Sequence, residues 1–363
     1  MAARRRGLLP RERPAGAALR AGLKRQVVHL FDRDRKIREP PVGEPRRYLP
    51  LFRRLPDGSL AASGPGAGES MTAPDCPFRG LDSLWIQVAG LSCNLRCAHC
   101  FNASGPGNRE MPALSRIDVR SLLDEAETVG VRDIVFTGGE PFLHPEMVEI
   151  AGDTLSRFPA TILTNGTLLI GRIVERLAAA ARDSIYSLEV RISLDAPTEE
   201  DNDRIRGKGS FERALAGAAC LAEAGFLPII TAVQFRGESD PVALEEVEIL
   251  LRSRGIRKPR VKFLPAFRMG REAERSGGYG EDDRVTTEML ELPGAEQLLC
   301  STARVATSRG VWVCPILVNE RGGWMGDTLS ESFRPFPLAY GACSTCFRHG
   351  AVCANAATAV REE

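Results

Sequence analysis

Cys93-Asn94-Leu95-Arg96-Cys97-Ala98-His99-Cys100 follows directly on an apolar run, Leu84-Trp85-Ile86-Gln87-Val88-Ala89-Gly90-Leu91. That order reads as a strand ending in a cysteine-rich loop. An α/β barrel places its chemistry at this end of its strands. The loop holds three thiols, separated by three residues and then by two. A four-iron cluster ordinarily takes four thiolates. Three leave one iron with an open position, where a small molecule can chelate.

Outward from this loop the chain alternates strand and helix. Ser115 is placed to cap a helix, with Asp118 three residues on and apolar positions Val119, Leu122, Leu123, Ala126 and Val129 at helical spacing up to Gly130. Strands are predicted at 133–137, 160–164, 188–194, 227–233 and 260–264. Helices are predicted from about 145 and over 170–181, 211–224 and 244–253. Six β/α units in series imply a parallel sheet covered by helices. Six strands are fewer than a closed eight-strand barrel needs, so the expectation is an open, partial (β/α)6 TIM-like barrel over 82–270. Its open side would admit a large substrate. Residues 271–295 read as a polar, Gly-rich linker. Residues 296–363 have short strand signals and frequent Gly, Pro and Cys, and read as a small Cys-rich domain stabilised by a metal centre.

Residues 1–75 differ from the rest. They are rich in Arg, Pro, Gly and Ala, with runs such as Arg33-Asp34-Arg35-Lys36. This composition buries little apolar surface and predicts a largely solvated extension, in which only Gln26–Phe31 has the character to pack. Over all 363 residues, 43% are hydrophobic and the formal net charge is +1, which gives no global field for nucleic acid or membrane. No apolar run reaches the roughly 20 residues of a membrane span. The basic start Met1–Arg6 is followed by no apolar h-region. The ten cysteines fall mainly at 93–100 and 300–353. Close groups of thiols suit metal better than disulfides, and the expected compartment is a reducing cytoplasm.

The loop resembles the signature of the radical S-adenosylmethionine (SAM) superfamily, and Cys93, Cys97 and Cys100 match it position by position. His99 stands where that family commonly has an aromatic residue. Thr137-Gly138-Gly139-Glu140-Pro141 resembles the segment that holds the methionine amino group of SAM; here two glycines allow close backbone approach and a carboxylate suits an ammonium. Leu163-Thr164-Asn165-Gly166 follows the third strand as in many members. Ser193-Leu194-Asp195-Ala196 and Asp203–Gly207 resemble the region near the SAM ribose and carboxylate, with Ser193 and Arg206 as the expected contacts and Arg204 as the competitor of Arg206. Phe267-Arg268-Met269-Gly270-Arg271 resembles a Gly-Arg segment after the sixth strand. The resemblance implies a [4Fe-4S] cluster held by the three cysteines, SAM bound by Gly138, Gly139, Glu140, Pro141, Asn165, Ser193 and Arg206, and a reducing electron donor of flavodoxin or ferredoxin type.

Cys300, Cys314, Cys343, Cys346 and Cys353 resemble the C-terminal extension called SPASM, or its shorter relative called twitch. Five thiols cannot fill two cubanes, so the resemblance implies one auxiliary [4Fe-4S] cluster held by four of the five. A structural zinc site is the alternative on ligand softness. Cys220, in an alanine-rich helix, reads as a small apolar residue. Cys76, between two prolines, reads as an inert linker thiol or a hydrogen-donor thiol. His144 has two readings, a residue at the cofactor mouth and a helix-start residue. Three functions follow as expectations. The first is a radical enzyme that matures a peptide. The second is a radical dehydrogenase or epimerase of a small metabolite, sugar or aminoglycoside-like. The third is a non-catalytic iron–sulfur or zinc protein, which the open iron argues against.

Overall fold

The computed structural model describes residues 73–234, 241–291 and 298–349, and the backbone of a short antiparallel pair, Phe52–Arg54 with Leu60–Ala62. Gln26–Phe31, the rest of the extension and Cys353 lie outside the described residues. Strands β1 (Ser83–Gln87), β2 (Asp133–Thr137), β3 (Ala160–Thr164), β4 (Leu188–Ser193), β5 (Ile229–Gln234) and β6 (Arg260–Pro265) run parallel in chain order. Both β2 and β3 occupy the residues their apolar runs predict. Helices α1 (Arg116–Val129), α2 (Met147–Leu155), α3 (Gly171–Arg182), α4 (Glu199–Arg206), α5 (Ser210–Glu223) and α6 (Pro241–Ser253) connect the strands.

The first crossover shows how local sequence sets the frame. Ser115 and Asp118 form a reciprocal capping box at the start of α1. Gly130 ends the helix in the left-handed region at φ 79°, with its N–H on the carbonyls of Ala126 and Glu127. Val119, Leu123 and Ala126 are buried on one face, beside Leu84, Ile134 and Phe136 of the sheet. Fully burying each large side chain contributes about 1.5–3 kcal/mol.

The sheet continues on its other edge. Strand β7 (Ala303–Thr307) lies parallel beside β1, in register Ala303 with Ser83 and Val305 with Trp85. Strands β8 (Gly310–Trp312) and β9 (Trp324–Gly326) add antiparallel, giving nine strands in the order β9-β8-β7-β1-β2-β3-β4-β5-β6. The C-terminal region therefore shares the barrel's sheet. The segment expected as a linker holds helix α7 (Gly270–Ser276) and a helical turn, Thr287–Leu290. Helix α8 (Gly341–Arg348) carries Cys343 and Cys346.

Candidate active site

Cys93, Cys97 and Cys100 are free thiols on the loop after β1, and they line one cavity of about 240 Å³ at the C-terminal ends of the parallel strands. Of the residues expected to hold SAM, Gly138, Gly139, Asn165, Ser193 and Arg206 line the same cavity; Glu140 and Pro141 lie behind it. A larger groove of about 880 Å³ between α1 and β7–β9 is lined by no thiol. Size alone therefore does not select the site; the donor set does.

Backbone contacts hold one side of the loop. Gly139 N–H donates to Gly90 O at 2.8 Å and Glu140 N–H to Ser92 O at 2.9 Å. A Cβ on Gly139 would stand 2.0 Å from Ser92 O, so the missing side chain lets β2's end lie against the cysteine loop itself. From the far side, Arg271 threads in from α7. Its Nε donates to Cys97 O at 2.8 Å and its Nη2 to Ser104 O at 2.6 Å. Gly270, at φ 53°, permits that approach, because a Cβ there would meet Phe101 O at 2.4 Å.

Glu140 is fully buried. One carboxylate oxygen accepts from Phe142 N–H at 3.0 Å and Thr164 Oγ1 at 2.7 Å; the other accepts from Asn165 N–H at 2.7 Å. Burial pushes its pKa up, against those three donors. It thereby ties the ends of β2 and β3 together. Asn165 carries the tie onward, donating through Nδ2 to Asn94 Oδ1 at 2.8 Å and toward Cys93 Sγ at 3.8 Å.

Asp195, just after β4, is the residue whose role the sequence did not disclose. Its side chain is wholly buried and takes Arg206 Nε at 2.6 Å and His99 Nε2 at 2.8 Å. Burial opposes its ionisation, but the adjoining Arg206 and His99 outweigh that and hold the carboxyl well below its usual range. Arg206 thus arrives at the cavity from the last turn of α4, while Arg204 turns outward to Glu200 and Asp201. His144 serves its own turn. Its Nε2 lies 2.8 Å from Leu114 O, and its Nδ1 accepts from Glu146 N–H.

The donors fit a four-iron cluster with one open iron. The cavity lining includes three cysteines and no fourth. Among the described residues, no three His, Cys, Asp or Glu side chains converge as a single-ion site requires; a cubane spreads its thiolates more widely than one zinc does. Desolvation pushes the Cys93 thiol up to about 12 and raises Cys97 also, the latter opposed by Arg206. A cationic metal would favour their thiolate forms.

A second group of thiols lies around α8. Cys300, Cys314, Cys343 and Cys346 pack in one apolar cluster with Phe336 and Leu338. Cys76 packs there as well, and the sequence held no sign of this. Cys220 is a half-buried residue of α5 packed against the main core, as expected for a small apolar side chain.

Residues 89–249 match the profile of the Radical SAM superfamily. The AdoMet-dependent heme synthase of Methanosarcina barkeri is 37% identical over 146 residues, which cover 39% of this chain and 39% of that one. The mycofactocin maturase MftC of Mycolicibacterium smegmatis is 29% identical over 310 residues, covering 74% of this chain and 76% of that one. The match to the first of these relatives thus spans about two fifths of its length. In fold, the chain is similar to Streptococcus suis SuiB bound to its precursor peptide SuiA, with a TM-score of 0.54 at 16% identity over 74% of this chain and 71% of that one. The cysteine loop, the glutamate tie behind it and the Asp195 cluster therefore all lie within the stretch that is similar to the Radical SAM superfamily.

Proposed function

We propose that the protein is a radical SAM enzyme that matures a peptide and carries one auxiliary [4Fe-4S] cluster in its C-terminal cysteine group. The observation that carries the reading is the single cavity at the strand ends, lined by Cys93, Cys97 and Cys100 together with Gly139, Asn165, Ser193 and Arg206. Cys93, Cys97 and Cys100 would hold three irons of the first cluster. Bound there, a reduced cluster would supply one-electron reductive cleavage of SAM and, through the resulting radical, hydrogen-atom abstraction from the substrate.

The chain's own residues position and shield. Arg206, oriented by Asp195, presents a guanidinium suited to a carboxylate. Ser193 and Asn165 offer polar groups along the same wall. Glu140 keeps that wall rigid, because its oxygens are already engaged by Thr164 and Asn165. Phe101, Leu264 and Phe267 line the rest and exclude water from a reactive radical.

A peptide substrate is supported by the likeness to MftC, a maturase, and to SuiB seen with a precursor peptide. A small metabolite is the competing reading, favoured by the modest 240 Å³ of the cavity. No helix among the described residues is long and apolar enough to cross a membrane. We infer a cytoplasmic enzyme fed by a flavodoxin- or ferredoxin-type donor.

The test is anaerobic reconstitution with iron and sulfide, incubation with SAM and dithionite, and chromatography for 5′-deoxyadenosine. Wild-type protein is expected to form it, and the Cys93→Ala/Cys97→Ala/Cys100→Ala variant to form none. Residual formation in that variant would overturn the site. A mass change in a short peptide encoded beside the gene would separate the peptide reading from the metabolite one.

A further inference from the structure

We infer that Cys76 is a ligand of the auxiliary cluster, completing a set of four thiolates with three of Cys300, Cys314, Cys343 and Cys346. The inference rests on the auxiliary-cluster reading above and changes its ligand set. Cys76 stands upstream of the barrel, far from the others in sequence.

The chain goes to some length to bring it there. Asp75 and Cys76 form a short antiparallel bridge with Phe336 and Pro337, placing Cys76 opposite Phe336. Leu338 N–H donates to Pro74 O at 3.0 Å, Arg79 N–H to Ser301 O at 2.8 Å and Asp82 N–H to Thr302 O at 2.8 Å. The segment is therefore fastened to both chain stretches that lead to the C-terminal thiols. Cys76 itself is 2% exposed. Its thiol is in hydrogen-bond contact with that of Cys300, and both are free. Cys314 and Cys346 pack in the same apolar cluster as Cys76 and Cys300. An inert linker thiol needs none of this.

A buried cation beside the thiols points the same way. Arg304 has no exposed surface, and its guanidinium donates to the carbonyls of Cys300, Ala303, Ser332 and Arg334 at 2.7–2.9 Å. It also lies 4.3 Å over the ring of Phe78. Among the described residues it joins no carboxylate. A buried charge without a counter-charge is costly. A cluster with four thiolates carries net negative charge and would supply it.

The experiment isolates the second cluster. In the Cys93→Ala/Cys97→Ala/Cys100→Ala background, reconstituted protein is expected to hold about four irons per chain with a cubane spectrum. Adding Cys76→Ala is expected to convert the cluster to a three-iron form, visible by electron paramagnetic resonance, or to lose it. Adding Cys353→Ala is expected to leave iron content and spectrum unchanged. Retention of the four-iron spectrum in Cys76→Ala would overturn the assignment. A background protein holding no iron would overturn the auxiliary cluster itself and Cys76 with it. Should Cys76→Ala fail to fold by circular dichroism, Cys76→Ser decides. A ligating oxygen is expected to shift the resonance and the reduction potential, and an unshifted spectrum refutes ligation.

Discussion

Gly139→Ala places one methyl group against the backbone of the cysteine loop. The new Cβ would lie 2.0 Å from Ser92 O, 2.4 Å from Ser92 C and 2.9 Å from Cys93 N. An ordinary contact begins near 3.4 Å, so β2's end and the loop must part by roughly 1.4 Å. Neither side yields cheaply. Gly139 and Glu140 both donate into the loop, and Glu140 is anchored to Thr164 and Asn165. Overpacking of this kind costs about 1–3 kcal/mol, and at about 2–4 °C per kcal/mol for a domain of this size the melting temperature is expected to drop by about 2–12 °C. Activity is expected to suffer more than stability. A misplacement of about 1 Å at a reacting centre costs on the order of 100-fold. The assay is 5′-deoxyadenosine formation per bound iron, read beside a thermal melt. A variant that melts below wild type yet forms product at the wild-type rate would refute the view that this glycine sets the position of Cys93.

Two further perturbations probe the same site. Asp195→Asn leaves Arg206 buried without its counter-charge, and breaking a buried pair in this way costs about 3–5 kcal/mol; an unchanged urea midpoint would contradict the pairing. The same carboxyl gives a pH signature: it ionises below its unfolded value of about 3.9, so its contribution is complete above that value and drains away as pH falls from there through the lower folded value. Acid titration is expected to cost the wild type stability that Asp195→Asn has already lost, and parallel acid curves would refute this. Arg271→Lys keeps the charge but cannot reach both Cys97 O and Ser104 O, leaving a buried acceptor unmet at about 1–3 kcal/mol. Faster iron release to a chelator is expected, and a wild-type release rate would show that the guanidinium fork is dispensable.

The alternation of strand and helix was legible because apolar runs such as Asp133–Thr137 and Ala160–Thr164 are bounded by Gly, Pro and polar turns. The three thiols, and Gly138, Gly139, Asn165, Ser193 and Arg206 beside them, were legible as short motifs at or just beyond strand ends, whereas apolar lining residues such as Phe101 and Leu264 were not. Helix α4 was not. Its sequence, Glu199 to Arg206, has no apolar stripe, and it is held by Thr198 capping Asp201 N–H and by Asn202 bonded to Ser210. Helix α7 was hidden for the same reason, lying in a polar Gly-rich stretch whose order comes from Arg271 and Glu272 turning inward. The joins of Asp195 to His99 and of Cys76 to Cys300 were out of reach because periodicity reports local structure, whereas these contacts are set by how distant segments meet. Glu140 shows a subtler limit. A carboxylate beside two glycines reads as a ligand for an ammonium, and only the fold reveals that Thr164 and Asn165 already occupy its oxygens.

Strand β1 has a consequence for how the molecule can be divided. It is hydrogen-bonded to β2 on one side and β7 on the other, and the chain runs straight from Cys76 through it to Cys93. Trp85 on this strand packs with Leu299, Val305 and Trp312 from the C-terminal region. Cutting the chain before β7 would bare one whole edge of β1 and uncover that tryptophan, inviting edge-to-edge association. The barrel and the cysteine-rich end are therefore not interchangeable cassettes. A chimera that grafts a foreign C-terminal piece must bring its own strand for this edge, and a truncated barrel is expected to aggregate before it can be loaded with iron.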